Sequence, residues 1–325
     1  MPRHLCAAFV YAYATLVRRG RLEPTTGYRD AIRKLKSVAV EPQRDVYLGV
    51  AGPRTAAAVA SESASSPRYR TQLCADIEDV MEEEALEGVL FHWPPPYRDS
   101  LRSAVIARQF VGAMETCLGA FNKKMALVAP QDEGERNQFF PFLVGDKLSY
   151  NVVFWTHNLH RGLGTLAHCT VNVPDITKAA LSSEQVALQE VMKKGAPELH
   201  KQALVTVSLR ALRFRLLVTA GPDKLSSADP DKTEALPYTS VCREIAPNHS
   251  QWRWTMSRQD GCVHGTYQNM WMSSLHDASD VYFTNCTTGV ALFDMAYDDY
   301  QGVCGKKHPL TTMIARGLNI SNVVH

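Results

Sequence analysis

The chain reads as an α/β protein whose strands run parallel under a cover of helices, and three observations predict it. The first is the unit at residues 69–96. Leu73, Ile77, Val80 and Met81 recur there at helical spacing, with Asp76, Glu78, Asp79, Glu82 and Glu83 largely on the opposite face. An apolar run from Leu86 to Trp93 follows, with Gly88 near its entry and Pro94, Pro95 and Pro96 at its exit, which is the pattern of a buried strand. The second is that this order of helix, tight turn and buried strand repeats along the chain, the mark of a helix-covered parallel sheet. The third is length: 325 residues fit one large α/β barrel, or a barrel carrying an inserted subdomain.

Taken in order, residues 6–14 form an apolar and aromatic stretch with two readings. After the weakly basic start Pro2, Arg3 and His4 it can be a short signal peptide cleaved near Ala12-Tyr13-Ala14, or it can be a strand. Residues 28–38 are a helix with Ile32, Leu35 and Val38 on one face. Residues 45–52 are a β-branched and apolar strand stopped by Gly52 and Pro53. Helix 98–117 and strand 124–129 come next, then a strand within 148–160, a helix at 182–194 and a strand at 203–209. Residues 220–284, rich in Gly, Pro, Ser and Asp before a mixed aromatic stretch, break the alternation. A strand at 289–300 and a helix at 308–318 close the chain.

Composition excludes several classes. Charged residues are 21% and apolar ones 45%, neither a disordered nor a membrane composition, and no run of about 18 apolar residues could span a bilayer. A net charge of +2 supplies no basic field for nucleic acid. The expected partner list therefore holds no nucleic acid and no membrane. The eight cysteines (Cys6, Cys74, Cys117, Cys169, Cys242, Cys262, Cys286 and Cys304) form no C-x-x-C pair, so a zinc ribbon or thioredoxin-like site is not expected. Asn248, Asn285 and Asn319 each open an N-glycosylation sequon, closed by Ser250, Thr287 and Ser321. Sequons and cysteines together point to the secretory route.

The frame Glu87, Gly88, Val89, Leu90, Phe91, His92, Trp93, Pro94 resembles the fourth-strand signature of family 18 glycoside hydrolases, the chitinases and chitinase-like proteins: Asp-Gly-x-Asp-x-Asp-x-Glu followed by Tyr-Pro. The resemblance continues in order. Residues 6–14 are similar to the second strand, Cys-Thr-His-x-x-Tyr-Ala-Phe-Ala, which favours the strand reading there, and Gly49-Val50-Ala51-Gly52 is similar to the third strand's Ser-x-Gly-Gly ending. Trp155, Thr156, His157, Asn158, Leu159 and His160 resemble the sixth strand's Met-Thr-Tyr-Asp-Leu-His. Residues 289–300 resemble the eighth strand's Gly-x-Met-x-Trp-x-x-Asp-x-Asp-Asp-Phe.

The resemblance implies a (β/α)8 TIM barrel lacking its first strand, with a small α+β insertion before the last. It divides the chain into barrel strands two to seven at 1–219, the insertion at 220–284, and strand eight with the closing helix at 285–325. The first strand and any true signal would then lie upstream of Met1. It also implies a secreted monomer without cofactor or metal, and a Cys242–Cys304 disulfide tying the insertion to the barrel. Cys6 would lack its usual partner, which the family keeps in the first strand.

The scaffold of the family pattern is present and its chemistry is not. The two inner aspartates are Leu90 and His92, and the glutamate that protonates the glycosidic oxygen is Pro94. The Tyr and Asp that hold the substrate's acetamido group are His157 and Asn158. The seventh strand's Tyr and Arg fall on Arg210 and Leu212, and the floor Trp is Phe293. Glu84 and Glu87 do not replace the acid: a strand rise of about 3.3 Å per residue puts Glu87 about 20 Å from Pro94. An enzyme is therefore not expected. The resemblance implies a chitinase-like lectin for chitin oligosaccharides or a related glycan, with Tyr11, Tyr13, Trp93, Trp155, His157, Asn158 and Phe293 as candidate ligand-facing residues. The competing readings are a structural or signalling barrel with no sugar site, and a hydrolase using some other carboxylate. Each attractive residue also has a plainer reading: His92 and Trp93 as barrel filling, His157 and His160 as two histidines without a third ligand, Trp155 as core, and Glu82 to Glu84 as a solvated helix face.

Overall fold

The computed structural model describes residues 6–23, 25–39, 44–52, 55–92, 104–129, 150–154, 203–217, 228–245, 251–256, 263–273 and 289–317. They divide into two units, one drawn from Cys6–Trp155 with Ala203 and Leu204, and one from Val205–His325.

The first unit begins with β1 (Ala8–Val17), a strand within the stretch read as one from the sequence. A turn at Arg18–Gly20 leads into the short β2 (Arg21–Glu23), which folds back antiparallel on the end of β1. Then come α1 (Tyr28–Ala39), β3 (Asp45–Ala51), α2 (Ala57–Ser65), α3 (Pro67–Glu83), β4 (Gly88–His92), α4 (Ala104–Ala120), β5 (Lys124–Ala129) and β6 (Asn151–Phe154). Strands β1, β3, β4, β5 and β6 lie side by side in that order, each pair parallel. Strands covered on both faces need apolar side chains on both faces. Accordingly β4 is buried at all five positions, and β3 at every position after Asp45.

Helix α3 opens on Pro67, where a missing N–H costs nothing, and buries Leu73, Ile77, Val80 and Met81, the stripe its spacing predicts. Helix α4 buries Phe110, Val111, Met114, Cys117 and Leu118. Phe110 meets Phe91 of β4 edge to face, with ring centroids 5.6 Å apart, and a Cys74–Cys117 disulfide ties α3 to α4. The solvated face predicted for residues 82–84 holds only in part. Glu82 and Glu83 are exposed, but the helix ends there, and Ala85, at φ 45°, turns the chain inward. Glu84 is consequently buried, with Arg29 Nε 3.8 Å from its carboxylate. Glu87 stitches the amino ends of three strands: its carboxylate accepts the Val46 amide at 2.6 Å, and its carbonyl accepts the Lys124 amide at 3.0 Å.

In the second unit, which takes β7 (Ala203–Ser208) from Val205 onward, β7 neighbours the last described strand, numbered β13 below. Between them in sequence lie β8 (Ala211–Leu216), β9 (Ala228–Leu236), α5 (Tyr238–Ile245), β10 (Arg253–Met256), β11 (Val263–Tyr267) and β12 (Met270–Ser273). These strands form an antiparallel sheet in the order β10-β11-β12-β8-β9. Val241 of α5 packs with Ala211, Trp252 and Met272. Arg213 of β8 reaches Glu234 of β9 and Glu244 of α5, each at 2.6 Å. Strand β13 (Gly289–Phe293) is followed by α6 (Pro309–Gly317), whose Leu310 and Ile314 pack on Val207, Leu209 and Tyr238.

The last strand is shorter than its sequence predicts. Asp294 adopts a left-handed φ of 59°, which takes the chain out of the extended region, and residues 295–297 form a 3-10 turn instead of continuing to Tyr300. The Cys242–Cys304 disulfide is formed and joins α5 to the segment after β13. Cys6 is unpaired and half-buried, and burial pushes its thiol up.

Candidate functional site

The carboxyl ends of parallel strands are where α/β barrels keep their reactive and binding groups, and each unit places a polar cluster there. In the first unit the cluster begins with a bulge. Tyr11 lies opposite Leu48 and Ala14 opposite Val50, so β1 takes three steps where β3 takes two. An extra residue of this kind re-aims the side chain beside it, and here that residue is Tyr13. Its ring lies across β3 above Gly49 and Gly52, where any Cβ would meet ring atoms at 2.7 and 2.5 Å. The hydroxyl reaches His92 at the end of β4 and shares a 2.7 Å hydrogen bond with Nδ1. The two rings meet edge to face at 5.1 Å. The His92 carbonyl also accepts the Gly52 amide at 2.5 Å, so main chain and side chain of one residue both lock the strand ends.

His92 is 4% exposed, and a buried imidazole requires the kind of partner that Tyr13 provides. Leu90, two residues earlier and therefore on the same face of β4, is buried as well. The two inner positions of the β4 frame thus present an isobutyl group and a hydrogen-bonded imidazole. Tyr11 is buried, with its hydroxyl bonded to Thr25 Oγ1. Thr55 completes the floor: its hydroxyl donates to the Ala51 carbonyl at 3.0 Å and accepts the Leu16 amide at 3.1 Å.

In the second unit the ends of β7 and β13 meet where the Leu209 amide donates to the Phe293 carbonyl at 3.1 Å. That register sets Ser208 and Arg210 against Asp294. The Ser208 hydroxyl donates to Asp294 Oδ2 at 2.6 Å, and Arg210 Nε donates to the same oxygen at 2.8 Å. The guanidinium carbon lies 6.0 Å from the centre of the Tyr297 ring. Phe293, at the position of the family's floor Trp, is half-buried at the strand end.

The acidic pair that follows β13 serves the scaffold. Asp298 is 2% exposed and accepts the amides of Leu310 and Thr311 and the Thr311 hydroxyl at 3.2, 3.1 and 2.7 Å, which fixes the start of α6. Asp299, fully buried, accepts the amides of Gly302, Val303 and Cys304 at 2.7–2.9 Å. Burial pushes its carboxyl up, but these amides together outweigh burial and hold it below the ordinary value.

Trp93, Pro94, Trp155, His157, Asn158 and the sequon residues Asn248, Asn285 and Asn319 lie outside the described residues. Among the described residues no group of three or more His, Cys, Asp or Glu could hold a metal, and no helix is long and apolar enough to cross a membrane. Sequence reasoning missed the Gly49–Gly52 seat, the Arg210–Asp294 pair and the Cys74–Cys117 bridge. The first has a local signal, two glycines three apart at a strand end. The pair spans 84 residues and the bridge 43, and neither has one.

No protein-family model matches the chain, and no curated protein matches it in sequence. Solved structures do match in fold. The Group IV chitinase of Ostrinia furnacalis superposes with a TM-score of 0.81 at 17% identity, over 98% of this chain and 93% of that one. That enzyme has also been crystallised with allosamidin. YKL-39, solved in the presence of chitooligosaccharides, matches at 0.75 and 14%, over 98% and 93%. An immunomodulatory active chitinase from Trichuris suis matches at 0.77 and 15%, over 98% and 94%. The chain has the fold of the family 18 chitinases and chitinase-like proteins.

Proposed function

We propose that this chain is a chitinase-like protein that binds N-acetylglucosamine oligomers or a related glycan without hydrolysing them, on a (β/α)8-type barrel that carries an α+β insertion. The carrying observation is the chemistry of β4. Leu90 and His92 occupy the two inner positions, and Pro94 stands where the resemblance puts the acid. Glycoside hydrolysis needs a carboxyl group beside the scissile bond, and the substrate-assisted route needs another to orient the acetamido group. An aliphatic chain, an imidazole bonded to Tyr13 and a proline supply neither. Binding has no such requirement, because an aromatic face at a strand end is a sufficient platform for a sugar ring, and Trp155 is the residue assigned to it. Secretion as a monomeric glycoprotein fits the sequons and the two disulfides among the described residues.

A binding titration and a hydrolysis assay test the reading. Purified protein should bind chitotetraose with a Kd between high micromolar and millimolar, since one stacked face contributes on the order of 1–2 kcal/mol, and Trp155→Ala should weaken binding about tenfold. The same protein should release no fluorophore from a chito-oligosaccharide conjugate above a buffer blank. Release above the blank overturns the non-hydrolytic part. A second reading, a barrel with no sugar site, is favoured by Tyr11, which is buried with its hydroxyl engaged by Thr25. Absence of chitotetraose binding supports that reading instead.

A further inference from the structure

The geometry points to Arg210 as the residue that selects an anionic glycan, one carrying a carboxylate or a sulfate, at the carboxyl ends of β7 and β13. This rests on the glycan-binding reading and specifies the ligand class of that site.

Arg210 is held by its inner nitrogen alone. Nε donates to Asp294 Oδ2 at 2.8 Å and lies 3.3 Å from Ser208 Oγ. Among the described residues its two terminal nitrogens have no hydrogen-bond partner, and the side chain keeps 30% of its exposure. A guanidinium fixed at Nε and open at its outer edge presents a planar fork, the shape that binds a carboxylate or sulfate through two parallel hydrogen bonds. Asp294 does not block such a ligand. Its Oδ2 is already shared by the Ser208 hydroxyl and Arg210 Nε, and it acts as the orienting group behind the fork. Ser208 is wholly buried, so the support under the fork is rigid. Beyond it, the Tyr297 ring lies within cation–π range of the guanidinium and adds an apolar edge beside the charge. The resemblance assigns a sugar-facing tyrosine to the place that Arg210 occupies, so the substitution exchanges a neutral hydroxyl for a permanent cation at a ligand-facing position.

Isothermal titration of the full chain with three probes tests this. They are chitotetraose, a tetrasaccharide alternating glucuronate with N-acetylglucosamine, and a 6-O-sulfated chitotetraose. At least one anionic probe should bind about tenfold more tightly than chitotetraose, and the comparison of the two identifies carboxylate or sulfate as the group read. Arg210→Gln should remove the preference, bringing the affinity for the anionic probe down to that for chitotetraose. Arg210→Lys, which keeps the charge and loses the fork, should retain only part of it, with thermal unfolding establishing that each variant is folded. Equal affinity for all three probes, unchanged in Arg210→Gln, overturns the inference and leaves the glycan-binding reading standing. Failure of every probe to bind overturns that reading and this inference with it.

Discussion

Tyr13 on β1 reaches over the end of β3 to share a 2.7 Å hydrogen bond with His92 on β4, and it does so because the residues beneath its ring are Gly49 in β3 and Gly52 just past its end. Strands β1 and β4 are not neighbours in the sheet. A ring can lie across the strand between them only where that strand carries no side chains. The bulge at Tyr13, the two glycines and the buried imidazole are therefore one device, which holds three strand ends together.

Gly52→Ala should destabilise the fold by about 2–4 kcal/mol. Its Cβ would sit 2.5 Å from the Tyr13 ring, overpacking of a kind that costs about 1–3 kcal/mol, and its φ of +71° adds about 1 kcal/mol for a residue with a Cβ. In a Tyr13→Ala background only the backbone part should remain. Urea denaturation of the four proteins in this cycle checks it, and simple additivity would separate the glycine from the ring.

Asp298→Ala should cost about 2–3 kcal/mol, because it leaves two first-turn amides of α6 and the Thr311 hydroxyl without their acceptor. Amide exchange at Leu310 and Thr311 should accelerate more than in α3. Uniform acceleration in both helices would mean that Asp298 acts on global stability rather than on the start of α6.

Stability should fall in two steps as pH drops. Burial depresses His308 below 6.5 against the pull of Asp298. A group whose folded value is lowered contributes stability that is complete above its unfolded value and is lost as pH falls through the folded one. The first loss therefore begins below 6.5. Asp299 is likewise held below 3.8 by its backbone amides, which outweigh burial, and gives a second loss below that value. Chemical denaturation across this range should lose the first step in His308→Gln and the second in Asp299→Asn. A profile that is flat between 6.5 and 3.8 in the parent protein would exclude the His308 contribution.

Each disulfide should contribute about 4 kcal/mol through the loop it closes, 43 residues for Cys74–Cys117 and 62 for Cys242–Cys304. Paired Cys→Ala variants measured by denaturation under non-reducing conditions check the magnitude. Peptide mapping of the parent protein checks the pairing, and Cys304 bonded to any residue other than Cys242 would refute it.

The sequence by itself determined the elements whose signals are local. The stripe Leu73, Ile77, Val80, Met81 and the apolar run ending at three prolines specify α3 and β4 because helix and strand periods are written in nearest neighbours. The absence of a carboxylate at Leu90, His92 and Pro94 is equally legible, since no folding step can create a carboxyl group. Tertiary structure decided what those positions became. His92 is a tied core residue because a bulge aims Tyr13 at it, Glu84 is buried because Ala85 turns the chain inward, and β13 stops at Phe293 because Asp294 turns left-handed. Arg210 meets Asp294 only when residues 84 apart are brought to one edge by the register of β7 and β13. Such pairs are selected by burial and strand register over the whole chain, and neither quantity exists until the chain has folded.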